Sequence, residues 1–347
     1  FGTVEETAPE MVSRAMAYAN AAAPIWQSTP PDERAACLFR AAELMEARLP
    51  ALIGLIIREA GKSYPNAVGE VREAVDFLRY YGTQVRHGYS GDTHRPLGPV
   101  VCISPWNFPL AIFTGQISAA LAAGNVVVAK PAEETPLIAF TAVEILREAG
   151  VPDGALQLVP GDGKVGAALV ADSRTRGVMF TGSTEVARLI QRQLATRLSP
   201  DGSVIPLIAE TGGQNAMIVD SSALAEQVVA DVLSSAFDSA GQRCSALRVL
   251  CLQEDVADRM LAMLRGALKE LSVGNPVNLS TDIGPVISAE AKAGIEAHIE
   301  RLRKAGCRVE QFQLGEEAAH GTFVPPTLIE IGEIGDLTRE VFGPVLH

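Results

Sequence analysis

The chain has 347 residues, of which 48% are hydrophobic and 20% charged, with a formal net charge of −12. That length suffices for two or three ordinary domains around a large core, and the acidic balance argues against nucleic acid or an anionic membrane as a partner. No run of about 18 uncharged apolar residues occurs, so no helical membrane span is expected.

The start, Phe1-Gly2-Thr3-Val4-Glu5-Glu6, lacks a basic region followed by an apolar one and does not read as a signal peptide. The absence of an initiating Met is expected of a fragment or a processed chain. The five cysteines, Cys37, Cys102, Cys244, Cys251 and Cys307, are odd in number and form no CxxC pair. Neither a disulfide framework nor a zinc site is expected, and a reducing cytoplasm is the expected compartment. Apart from Cys244, the cysteines sit in apolar or helical contexts and are expected to be small core residues.

The first ~80 residues read as helices that pack on a sheet. Ser28-Thr29-Pro30-Pro31-Asp32-Glu33 is a helix start signal, with proline and acids in the first turn. Apolar residues follow at helical spacing through Cys37, Leu38, Ala41, Leu44 and Met45. Further helices are predicted over 51–60, stopping at Gly61, and over 67–81. Residues 87–99 are polar and contain Gly88, Gly91, Pro96 and Gly98, so they read as a loop or a short hairpin.

From Val100 short β-branched runs alternate with helices. Strands are predicted at 100–103, 126–129, 156–159, 178–180 and 205–209, with helices at 110–123, 137–149, 165–171 and 185–198. This order implies a parallel, doubly wound sheet, which binds ligands at the carboxyl ends of its strands. A second α/β stretch follows, with strands at 216–219 and 249–253 and helices at 223–237 and 256–271. The boundary is expected within 211–215.

Several residues carry candidate chemistry. Cys244 lies in a turn before a strand, and Arg243 beside it can help form the thiolate. Glu210 follows an apolar strand; partial burial would raise its pKa toward the range useful to a general base. Asn107 lies between Pro105 and Pro109, in a stiff segment suited to an oxyanion donor. Phe180-Thr181-Gly182-Ser183 is a strand end and helix start that can hold a pyrophosphate, although GxGxxG is absent. Lys130 ends a strand and can reach ribose hydroxyls. Each also has a plainer interpretation: a structural cysteine, a charged strand end, a turn asparagine, an ordinary βα turn, a solvated lysine.

Taken together, six segments in fixed order resemble the aldehyde dehydrogenase superfamily over essentially the whole chain. They are Pro105-Trp106-Asn107, Lys130-Pro131-Ala132-Glu133, Phe180-Thr181-Gly182-Ser183, Glu210-Thr211-Gly212-Gly213-Gln214-Asn215, Gly241-Gln242-Arg243-Cys244 and Glu340-Val341-Phe342-Gly343-Pro344. Residues 104–113 and 235–248 are similar to the Δ1-pyrroline-5-carboxylate (L-glutamate γ-semialdehyde) dehydrogenase module of the bifunctional proline utilization A family. There the module is joined to a flavin-dependent proline dehydrogenase.

The resemblance implies a Rossmann-like NAD-binding domain over 1–85 and 99–212, with its N-terminal helices. It implies a remnant of an oligomerisation hairpin at 86–98 and an incomplete α/β catalytic domain at 213–347. Cys244 would attack the aldehyde, the Asn107 amide and the Cys244 N–H would hold the oxyanion, and Glu210 would activate water. Lys130 and Glu133 would face the adenosine ribose of NAD, Gly182 and Ser183 its pyrophosphate, and Glu340 and Phe342 its nicotinamide end. Phe108 and Ser245 would contact the semialdehyde, and Glu133 would disfavour the 2′-phosphate of NADP. The family's second glycine after Phe180-Thr181-Gly182-Ser183 is Ala187 here. The family's loop for the substrate α-carboxylate and its C-terminal oligomerisation segment are expected beyond His347, and the complete protein is expected to be a homo-oligomer. Two rival readings are a CoA-acylating aldehyde dehydrogenase, a class that usually lacks the base Glu210 supplies, and a non-catalytic scaffold that keeps the fold.

Overall fold

The computed structural model describes residues 3–90 and 93–347. Phe1 and Gly2 of the start, and Gly91 of the polar loop, lie outside the described residues. The chain forms two compact units, Phe1–Ala60 with Val68–Thr211 and Gly61–Ala67 with Gly212–His347.

The first unit opens with helices α1 (Pro9–Ser28), α2 (Pro31–Ala47), α3 (Leu49–Ala60) and α4 (Tyr64–Gly88). Pro31 sits at the start of α2, where its missing N–H costs nothing. The 67–81 helix runs on to Gly88, because Val85 is still buried and extends the apolar stripe by one more turn. His87 and Gly88 therefore belong to a helix and not to the loop.

Five parallel strands follow: β1 (Pro99–Ile103), β2 (Val126–Lys130), β3 (Leu156–Leu158), β4 (Gly177–Gly182) and β5 (Leu207–Thr211). They alternate with α5 (Ala111–Ala122), α6 (Pro136–Glu148), α7 (Gly163–Ala171) and α8 (Thr184–Leu194), and their spatial order is β3-β2-β1-β4-β5. β1 and the first four residues of β2 are unbroken apolar runs because helices cover both faces of the sheet. Right-handed crossovers place α5 and α6 on one face, and the order reverses between β1 and β4.

The second unit holds parallel strands β6 (Asn215–Val219) and β7 (Leu247–Leu252), helices α9 (Ala225–Phe237), α10 (Glu254–Glu270) and α11 (Ala289–Lys304), and strands β8 (Arg308–Gln311), β9 (Thr327–Glu330) and β10 (Val345–Leu346). His347 joins β10 to β7: its N–H donates to the Arg248 carbonyl at 2.9 Å and its carbonyl accepts from Leu250 at 2.8 Å. The core beneath is aliphatic, with Val232, Leu264, Leu268, Ile295, Ile299, Leu302 and Ile329 all buried.

Candidate active site

In the first unit the expected residues gather along the carboxyl edge of the sheet. Lys130 ends β2 and is buried, its stem running past Gly166 of α7. Its Nζ donates to the Pro131 carbonyl at 3.0 Å and lies 3.4 Å from Glu133. The pair expected to face a ribose is thus already an ion pair, and Lys130 is not the solvated lysine that its plainer interpretation required. Asn107, in the segment after β1, is buried, and Phe108 is half-buried.

Helix starts along this edge are capped by side chains. Glu70 accepts from Leu110 and Ala111 (3.3 and 2.9 Å) at the start of α5. Glu59 accepts from Leu137 and Ile138 (2.7 and 2.9 Å) at α6, and burial pushes its carboxyl upward. Asp162 accepts from Lys164 at 2.8 Å at α7. At α8 the cap is a neutral hydroxyl, Ser183, which accepts from Val186 at 3.2 Å; Glu185 follows in the first turn. At the reversal between β1 and β4, Gln116 of α5 donates to the Ile103 carbonyl at 3.3 Å and to Thr181 Oγ1 at 3.1 Å. Its buried Oε1 has no protein partner.

Glu210 departs from expectation. Strand β5 begins two residues later than predicted, so Glu210 lies within the strand, opposite Thr181 of β4, and is exposed. The cause is position: β5 is the edge strand, and Ile208 two residues earlier is itself 56% exposed.

In the second unit Cys244 follows an unusual turn. Ser239, Ala240 and Gly241 have φ of 53°, 55° and 66°, three successive left-handed residues. For the two non-glycines this costs about 1–3 kcal/mol each and persists only where the surroundings over-determine it. A side chain at Gly241 would run into the Gly343 carbonyl.

The determinants are side-chain hydrogen bonds. Ser239 Oγ donates to Asn66 Oδ1 at 2.9 Å. Gln242 Nε2 donates to the Ser239 carbonyl at 3.0 Å, while its Oε1 accepts from Ile287 at 2.9 Å. Asn215 Nδ2 donates to the carbonyls of Cys244 and Ala246 at 2.8 and 3.0 Å. Cys244 is half-buried and Ser245 exposed.

Arg248 is the hub of this region and is 1% exposed. One terminal nitrogen donates to the carbonyls of Gly241 and Gly343 at 2.8 and 3.1 Å. The other donates to the Arg243 carbonyl and to Glu340 Oε1, both at 3.1 Å. Burial pushes the Arg248 pKa down and the Glu340 carboxyl up; the attraction between them and the Gly213 N–H oppose that. The Phe342 ring lies 5.4 Å from the guanidinium. Gly212 is bare because a side chain there would strike the Glu340 carboxylate.

Arg243, expected to assist the thiol, donates instead to the carbonyls of Ser234 and Ser235 near the end of α9, where a helix attracts a cation. Cys244 lies near enough to act electrostatically on the Arg248 guanidinium. In the sequence Arg248 has the look of an ordinary strand cation; its one signal was its place four residues after the cysteine. Cys251 is exposed, contrary to the expectation of a core residue, because it sits in a half-covered strand.

Beside this hub His347 and His298 form a defined chain. The Arg248 carbonyl can only accept, so His347 Nδ1 at 3.0 Å carries the proton. His347 Nε2 then accepts from His298 Nε2 at 2.8 Å, leaving His298 Nδ1 to accept from Arg301 at 3.3 Å. Both rings are thereby held neutral. Burial and the neighbouring cations push His298 down to about 4, and burial lowers His347 as well.

Among the described residues, no helix is long and apolar enough to cross a membrane. The family model described as aldehyde dehydrogenase family matches residues 1–347. The bifunctional protein PutA of Klebsiella aerogenes is 66% identical over 352 residues, covering 100% of this chain and 27% of that protein, so the chain spans about a quarter of the relative's length. A crystal structure of a bifunctional proline utilization A protein superposes with a TM-score of 0.94 at 52% identity, covering 100% of this chain and 36% of that one. A 1-pyrroline-5-carboxylate dehydrogenase from Thermus with bound NAD gives a TM-score of 0.91 at 34% identity, covering 98% and 69%.

Proposed function

Because the chain belongs to the aldehyde dehydrogenase family, we propose that it oxidises L-glutamate γ-semialdehyde to L-glutamate with NAD⁺ through a thioester on Cys244. The observation that carries this is the Cys244 turn, a strained left-handed segment whose carbonyls are tied down around a half-buried thiol. Such strain is characteristic of groups held for chemistry. The aldehyde class comes from the similarity to the Thermus dehydrogenase.

The chemistry runs in two halves. The Cys244 thiolate adds to the aldehyde carbon, and the negative charge moves to the carbonyl oxygen. The Asn107 amide and the Cys244 N–H donate to that oxygen. NAD⁺, when bound, supplies the hydride acceptor. Glu210 then takes a proton from the water that attacks the thioester, which frees glutamate and restores the thiolate. Phe108 and Ser245 contact the semialdehyde.

The residues of the first unit suit the dinucleotide. Lys130 and Glu133 offer a donor and an acceptor to a ribose, and Gly166 leaves the lysine stem its channel. A hydroxyl cap at α8 puts no carboxylate on the cap position where Gly182 and Ser183 would meet a pyrophosphate. Gln116 Oε1 is a buried acceptor without a protein partner at the strand-order reversal. Glu340 and Phe342 would hold the nicotinamide end. The carboxylate of Glu133 selects against the 2′-phosphate of NADP⁺. In the longer protein this unit pair accompanies a flavin-dependent proline dehydrogenase and forms a homo-oligomer.

The test is NADH formation from glutamate semialdehyde. Cys244→Ala is expected to lower turnover by at least about 10³-fold. Turnover unchanged in that variant would overturn the thiol route. Acyl-CoA instead of glutamate on adding CoA would move the assignment to the acylating class.

A further inference from the structure

We propose that Arg248 is a positioning residue, a single guanidinium that holds the Cys244 turn and the Glu340 carboxylate in one geometry. This inference rests on the reaction proposed above for the roles of Cys244 and Glu340.

Four N–H groups of Arg248 are spent on four acceptors in two chain segments. Two acceptors, the carbonyls of Gly241 and Arg243, lie in the segment that leads into Cys244. The other two, the Gly343 carbonyl and Glu340 Oε1, belong to residues 340–343. Neither segment has a regular hydrogen-bond ladder of its own at these positions: 238–241 is a left-handed turn and 338–344 has no regular structure. What a strand or helix would do with backbone bonds is done here by one buried side chain.

A stability role explains this arrangement poorly. Burying an arginine and a glutamate costs about as much as their attraction returns, and apolar residues of similar volume commonly serve a fold as well or better. The opposed directions in which burial moves the two groups express that cost. The planar fork supplies geometry that neither a lysine nor an apolar residue can copy, since an ammonium has three donors for four acceptors. The Cys244 segment and the Glu340 segment therefore share one hinge point. A shift at Arg248 moves the nucleophile and the cofactor carboxylate together.

The test uses Arg248→Lys and Arg248→Met, with Glu340→Gln and the Arg248→Lys/Glu340→Gln double variant. It reads kcat, KM for NAD⁺, thermal unfolding, and iodoacetamide alkylation of Cys244 followed by peptide mass spectrometry across pH. Arg248→Lys is expected to stay folded, to lose about 10- to 100-fold in kcat and to raise KM for NAD⁺ several-fold, with a changed alkylation profile at Cys244. Arg248→Met is expected to lose more on each readout. Glu340→Gln should raise KM for NAD⁺ and leave alkylation within about twofold. In the double variant the KM effects should not multiply, because both changes act through one carboxylate, while the kcat loss of Arg248→Lys persists.

A folded Arg248→Lys with kcat, KM and alkylation unchanged, or with only a lowered unfolding temperature, would overturn the assignment. Independent, multiplying KM effects would overturn the link through Glu340. Absence of aldehyde turnover in the wild type counts against the reaction itself, and the alkylation profiles then decide for or against Arg248 at the turn.

Discussion

At the carboxyl edge of the five-stranded sheet, Lys130, Gly182 and Glu210 stand where strands β2, β4 and β5 deliver them, and the helix starts beside them are closed by Glu70, Glu59, Asp162 and Ser183. Around Cys244 no ladder does the delivering. Three left-handed residues, two of them with side chains, are pinned by Asn66, Gln242 and Arg248, and Asn215 holds the Cys244 carbonyl beyond them. A regular scaffold distributes its holding power over many equivalent bonds and tolerates the loss of any one. An irregular turn concentrates it in a few buried polar side chains. Damage should spread differently in the two regions.

The largest expected stability loss lies in the regular region. Phe113 is fully buried in α5, and Phe113→Ala should cost about 3–5 kcal/mol while leaving alkylation of Cys244 in the folded protein unchanged. Denaturant unfolding beside alkylation kinetics checks this. An altered thiol would show the two regions to be coupled rather than separate. Gly241→Ala should cost about 2–4 kcal/mol, from positive φ and the Gly343 carbonyl together. Here activity and alkylation should change as well, even at temperatures where the variant is fully folded.

The pH response comes next. His298 is neutral in the fold down to about 4, whereas an unfolded histidine takes a proton near 6.5. Between those values the unfolded chain binds more protons, so stability falls as pH drops from about 6.5 toward about 4. His347 acts in the same sense. Glu340, raised by burial, slopes the other way above its ordinary value near 4.5. His298→Gln, which can still donate and accept, should flatten the acid limb of unfolding temperature against pH; identical limbs in variant and wild type would remove the histidine chain as its cause. Smallest is Glu59→Ala at the start of α6, expected to cost about 1 kcal/mol with kinetics untouched.

The regular region was legible in the sequence because its information is periodic. Runs such as Val126-Val127-Val128-Ala129 and the amphipathic spacing between them marked strands and helices within a few residues. What the pattern could not show is which strand lies at the edge. Ile205, Leu207 and Ile208 look as apolar as a central strand, so Glu210 was expected to be half-buried and is exposed. The Cys244 turn left a thinner trace. Its glycine at 241 was visible, but left-handed Ser239 and Ala240 carry no signature, and Arg248 alternates in a strand like any surface cation. Its importance comes from four acceptors brought together only by tertiary folding. Asn215 stands within a motif, yet that its amide would hold the cysteine's own carbonyl needed the pairing of β6 with β7.

Position 212 links these matters to mutation at large. Every amino acid except glycine would put an atom where the Glu340 carboxylate rests. Substitutions at 212 and 340 should therefore be non-additive: an alanine at 212 costs more beside glutamate than once residue 340 is shortened. A saturation library of the two positions, scored by unfolding temperature and by KM for NAD⁺, would show that coupling as departures from additivity.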